Sequence, residues 1–100
     1  MTVDLEDLKY LSQGDLVALF RRAGRQVVLT ALWGVDRSVR DYVLRTLPRH
    51  ESEQLREALQ RMPTPALESV RLAGRRLLNL LGELSREGRI AFDLPEDLVA

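Results

Sequence analysis

His50 is the single imidazole in 100 residues, and there is no cysteine. One imidazole with no thiolate gives no transition-metal site. No serine or second base stands beside it in a pattern that would build a proton relay. It follows Pro48-Arg49 at what reads as the exposed start of a helix, where a histidine is solvated. The carboxylates Asp4, Glu6, Asp7 and Asp93, Glu96, Asp97 form two small groups. Neither has the spacing of a calcium loop, so both read as solvated surface. The patterns GxxxxGK[ST], GxGxxG, GxSxG and HExxH are all absent. The expectation is no enzyme, no cofactor and no metal.

What remains is charge arranged for binding. Fifteen basic residues balance fifteen acidic ones, and fourteen of the bases are arginine. A net charge of zero argues against a protein whose main task is neutralising phosphates. Two basic clusters stand out, Arg21-Arg22-Arg25 and Arg71-Arg75-Arg76. If they converged they would form an anion patch, and the chain would be a small arginine-dependent nucleic-acid or anion binder. The plainer reading is helix-surface arginine pairing with Glu68, Glu83 or Glu87. No aromatic side chains interleave with the bases, as single-strand binders need for stacking, so nucleic acid is disfavoured. Trp33 sits in an apolar run and reads as core; exposed, it would mark a protein contact.

These residues need elements to hold them. Thr64 to Gly88 is the longest periodic stretch, with Leu67, Val70, Gly74, Leu77, Leu81 and Leu84 at helical spacing. Thr64 is expected to cap this helix, with Pro65 at its first position and Gly88 as its stop. Before it come shorter helices. Val3 to Leu11 reads as a short helix or turn. Ser12, with Asp15 three residues on, resembles a capping box for Gln13–Arg22, burying Leu16, Leu19 and Phe20. Arg25–Trp33 is a third helix, ended by Gly34. Asp36 caps Arg37–Leu47, which buries Val39, Tyr42, Val43 and Leu47. Pro48 opens Arg49–Arg61, with Leu55, Leu59 and Met62 inward. Arg37–Asp41 and Glu57–Arg61 are surface pairs four apart. Ile90-Ala91-Phe92 would cover the body or pair as a strand.

Short connections set consecutive helices side by side. The expected fold is all-α: a compact right-handed stack of about six helices, armadillo-like, closed by one long C-terminal helix. Residues 1–92 form one domain, and 93–100 an acidic tail. No apolar run approaches the ~20 residues needed to span a bilayer, so no membrane insertion is expected. Met1-Thr2-Val3-Asp4 has no basic-then-apolar start, so no signal peptide is expected either. The default is a cytoplasmic protein.

As a block, Leu16 to Phe92 resembles the C-terminal armadillo-like domain of FliG, the flagellar rotor switch protein. The resemblance runs through LTALWGVDRSVRDYVLRTLPRHESEQLREALQRM and VRLAGRRLLNLLGELSREGRIAF. Gly34, Arg40, Leu55-Arg56 and Glu87-Gly88 carry it beside the apolar positions. Leu5-Glu6-Asp7-Leu8 resembles the family's Phe-Glu-Asp-Leu segment, and Thr2–Leu5 lies where the family has a Met-Phe-X-Phe hinge.

The resemblance implies a binding role in the motility and chemotaxis apparatus, at the inner face of the membrane. A charged helix, here Pro48–Met62, would engage the stator's cytoplasmic loop or other rotor subunits and pass torque. The implied partner-binding residues are Trp33, Arg40, Arg49, His50, Glu53, Arg56, Glu57 and Arg61. Glu57 keeps one of the family's two adjacent acids, and Ala58 replaces the other. His50 stands where the family has Arg, Trp33 where it has Lys, and Ala66 where it has another Arg. A charged face survives in a different arrangement. A stand-alone scaffold with a non-flagellar partner, or one that self-associates, is the alternative in the same class.

Overall fold

The computed structural model describes residues 4–89. The chain runs through a 3₁₀ helix at Leu5–Tyr10 and five α-helices: α1 (Gln13–Ala23), α2 (Arg25–Gly34), α3 (Arg37–Thr46), α4 (Arg49–Arg61) and α5 (Leu67–Arg86). No strand occurs among the described residues. The all-helical expectation holds, and most boundaries fall within a residue of those read from the sequence. The expectations for Met1–Val3, for Ile90-Ala91-Phe92 and for the tail at 93–100 lie outside the described residues.

Local chemistry starts and stops these helices. Ser12 Oγ accepts the Asp15 N–H at 3.2 Å, capping α1. The reciprocal half of the box is not made. Asp15 is one methylene shorter than the usual Glu, and its buried Oδ2 finds no hydrogen-bond partner. At the 3₁₀ helix, Asp7 Oδ2 accepts the Asp4 N–H at 2.8 Å. Gly24, at φ 89°, turns α1 into α2, a backbone state that only glycine enters freely. Gly88 ends α5 in a Schellman motif. Its N–H donates to Ser85 O at 3.1 Å, and the Arg89 N–H donates to Leu84 O at 3.0 Å.

The spine is α5, as its periodicity implies. It is ~30 Å long and packs chiefly on α2, then on α1. Leu77, Leu80, Leu81 and Leu84 from α5 meet Leu16 and Leu19 of α1, Val28 and Leu32 of α2, and Val39 and Val43 of α3 in one core. α3 packs on the 3₁₀ helix, where the Tyr42 hydroxyl donates to Leu11 O at 2.6 Å. α4 lies outermost, against α3 and α2.

The start of α5 differs from expectation. Thr64 does not cap it and Pro65 is not its first residue; Ala66 is the N-cap, and Leu67 is 71% exposed. The prolines hold Met62 and Thr64 out of the helical region. An extended residue spans about 3.3 Å, against 1.5 Å in a helix. The chain needs that reach. α4 ends beside Arg25 and Leu29, near the start of α2, whereas α5 begins where Val70 meets Gly34, at the end of α2. The 62–66 linker covers that distance.

Gly34 also differs in its reason. It ends α2 as expected, but without a positive φ. A Cβ there would overlap Val70 Cγ1. Glycine is required so that α5 can cross α2 closely.

Candidate protein-interaction site

α4 is amphipathic. Ser52 is its one buried residue; Leu55 and Leu59 pack half-buried on the core. At 100° per residue, these three occupy one face. Arg49, His50, Glu53, Arg56, Glu57 and Arg61 are all exposed; His50, Glu53, Glu57 and Arg61 point away from that face, while Arg49 and Arg56 flank it on the α3 side. Ser52 holds the helix down, its Oγ donating to Leu44 O at 2.5 Å. That bond was not foreseen. Its only sequence signal is a small polar residue amid long charged ones, on the inward stripe.

The outward face is laced along its length. Arg49 Nε donates to Glu53 Oε1 at 3.0 Å, and Arg61 meets Glu57 at 3.1 Å. His50 shares a hydrogen bond with Gln54 at 3.2 Å. Such exposed pairs contribute little to stability, about 0.3–0.5 kcal/mol each. They hold alternating signs at fixed positions instead. Arg56 has no ion-pair partner among the described residues. It borders a shallow hollow between α3 and α4, with Arg45, Arg49 and Glu53.

The other two implied site residues lie apart from this face. Arg40, on α3, is half-buried and occupied. Its guanidinium donates to Leu32 O and to Trp33 O, both at 3.0 Å, closing carbonyls at the end of α2. Trp33 is not core: it is 37% exposed. It follows Arg25 and Leu29 at spacings of four, along one stripe of α2. Its apolar neighbours in sequence point elsewhere, which is why reading the run as wholly buried fails for this residue.

The arginine clusters do not converge. Arg22 meets Glu87 at 2.9 Å, fixing the end of α1 beside the end of α5. This contact raises the Arg22 pKa and lowers that of Glu87, the shared hydrogen bond being the main cause of both. Arg71, paired with Glu68 at 3.9 Å, lies sixteen positions back along α5 from Glu87, ~24 Å away. No group of three or more potential metal ligands occurs among the described residues. No described helix is long and apolar enough to cross a membrane.

Comparison with known proteins agrees with this architecture. The family described as FliG C-terminal domain matches residues 1–92. The chain belongs to that family. The FliG C-terminal fold also accounts for a match to the crystal structure of FliG (residues 116–343) from H. pylori, with a TM-score of 0.78 at 20% identity. That match covers 88% of this chain but 39% of the H. pylori fragment, so the FliG C-terminal-like unit here corresponds to a minor part of that molecule. No curated protein matches by sequence.

Proposed function

We propose that this FliG C-terminal domain is a non-enzymatic, cytoplasmic protein-interaction domain of the flagellar rotor and switch type. It docks a partner through the outward face of α4 and passes force through the α2–α5 body. The observation that carries this reading is the exposed alternating-sign set Arg49, His50, Glu53, Arg56, Glu57, Arg61 on a helix anchored through Ser52. Alternating charge on a rigid helix gives orientation and fast encounter with a complementary charged segment. By family resemblance the partner is the stator's cytoplasmic loop or another rotor subunit. Trp33 adds an apolar contact where the family has lysine. Residues 1–92 are the domain in this reading, and 93–100 an acidic extension.

The double reversal Arg56→Glu with Glu57→Arg is the test. Neither side chain is buried, so circular dichroism should be unchanged while binding of a stator-loop peptide is lost. Undiminished binding by the folded double variant would refute the mechanism.

A further inference from the structure

The inner flank of α4 forms a second surface. Two hollows adjoin along it. One, of about 190 Å³, is lined by Val17, Phe20 and Leu55 together with Arg21 and Arg25. The next, of about 510 Å³, continues past Arg25 to Met62. Arg25 and Gln54 line both, so they form one groove between α1–α2 and α4. From Glu51 to Arg61 it runs ~15 Å, about three helical turns.

Its walls differ in sign. Arg21 and Arg25 line the α1–α2 side, and neither has an ion-pair partner among the described residues. Glu51 lines the α4 side, as does Glu57, which is already matched by Arg61. The apolar hollow is smaller than the several hundred Å³ of ordinary small-molecule sites. It has room for an aliphatic side chain, with guanidinium groups where a carboxylate would follow.

We propose that this groove takes an amphipathic helical segment of a protein partner. Its aliphatic anchors enter over Val17, Phe20 and Leu55, and its carboxylates lie against Arg21 and Arg25. Anchors at helical spacing suit the groove's length. Charge-assisted contacts to Arg21 and Arg25 on the α1–α2 wall, facing Glu51 and the paired Glu57–Arg61 on the α4 wall, fix which way round the segment lies. The groove shares Glu57 and Arg61 with the exposed α4 set, but Arg21 and Arg25 lie outside that set.

Two labelled amphipathic peptides test it by fluorescence anisotropy on the full chain, one with leucine and glutamate faces, the other with lysine replacing glutamate. The leucine–glutamate peptide should bind saturably. Arg21→Glu with Arg25→Glu should weaken it about tenfold or more, as expected for loss of charge-assisted contacts. Arg49→Glu with Glu53→Arg, in the exposed α4 set, should leave it unchanged; that separates this result from the fate of the stator-type reading. Any of three results overturns the proposal: no saturable binding, equal binding of the lysine peptide, or indifference to the Arg21/Arg25 change. A fourth concerns the chain's own Asp93-Leu94-Pro95-Glu96-Asp97-Leu98, which has the same chemistry. If Asp93→Asn with Glu96→Gln and Asp97→Asn strengthens peptide binding, the chain itself competes for the groove, and a partner is not its occupant.

Discussion

Replacing Gly34 by alanine should destabilise the domain through a single neighbour. The added Cβ would overlap Val70 Cγ1, at the point where α5 crosses the end of α2. Val70 cannot withdraw freely, because its helix is held by Leu77, Leu80, Leu81 and Leu84 in the core. Overpacking of this kind costs about 1–3 kcal/mol. Alanine's better helix propensity offsets at most ~1 kcal/mol, and less at a helix end. The net expected loss is ~1–2 kcal/mol, which for a domain of this size lowers Tm by about 4–16 °C. Val70→Ala alone removes two half-buried methyl groups, worth ~1 kcal/mol. In that background Gly34→Ala should cost nothing or stabilise slightly. Urea unfolding of the four proteins in a double-mutant cycle measures the coupling. Distant sites add to within ~0.5 kcal/mol. An equal Gly34→Ala penalty with and without Val70, or no penalty in either, would refute the close-crossing argument.

Arg40→Ala should cost ~2 kcal/mol in urea unfolding, because two carbonyls at the end of α2 lose a charged donor. Arg40→Lys should recover only part of it, since an ammonium does not reproduce the guanidinium fork. The Arg22–Glu87 pair makes stability pH-dependent. The Glu87 pKa is lowered in the folded state, so its contribution is complete above the ordinary glutamate range and is lost as pH falls through the lower folded value. Glu87→Gln should remove that part of the acid-unfolding profile while leaving the rest. Trp33 is the single tryptophan and partly solvated, so its emission should be red-shifted and quenched by iodide or acrylamide. A blue-shifted, protected spectrum in the monomer would contradict its placement.

What could be read from the sequence was what neighbours along the chain decide. Pro48 and the run of charges bounded α4 at Arg49–Arg61, because a proline start and inward Leu55 and Leu59 are local signals. The surface pairs Arg37–Asp41 and Glu57–Arg61 followed from spacing alone. The start of α5 was misplaced because it depends on where Val70 meets Gly34, thirty-six positions apart in the chain. Trp33 was misplaced because buried Leu29 and exposed Arg25 share its stripe, so nothing in the run shows at which turn of α2 burial ends. Of the candidate site, the α4 charges could be placed by periodicity. Arg40's commitment to α2 carbonyls could not, since backbone acceptors carry no residue type.

One consequence follows from how little α4 buries. Ser52 alone is enclosed, while the core is built from α1, α2, α3, α5 and the 3₁₀ helix with its flanking Leu11. The docking face proposed for α4 is therefore separable from the scaffold that displays it. Charges on its outer face can be exchanged one at a time without a folding penalty, because surface substitutions of this kind stay within about ±0.5 kcal/mol. Such a helix can drift toward a new partner while the body stays the same. The histidine at 50 is compatible with that freedom: in the proposed role, recognition can be rewritten here without redesigning the fold.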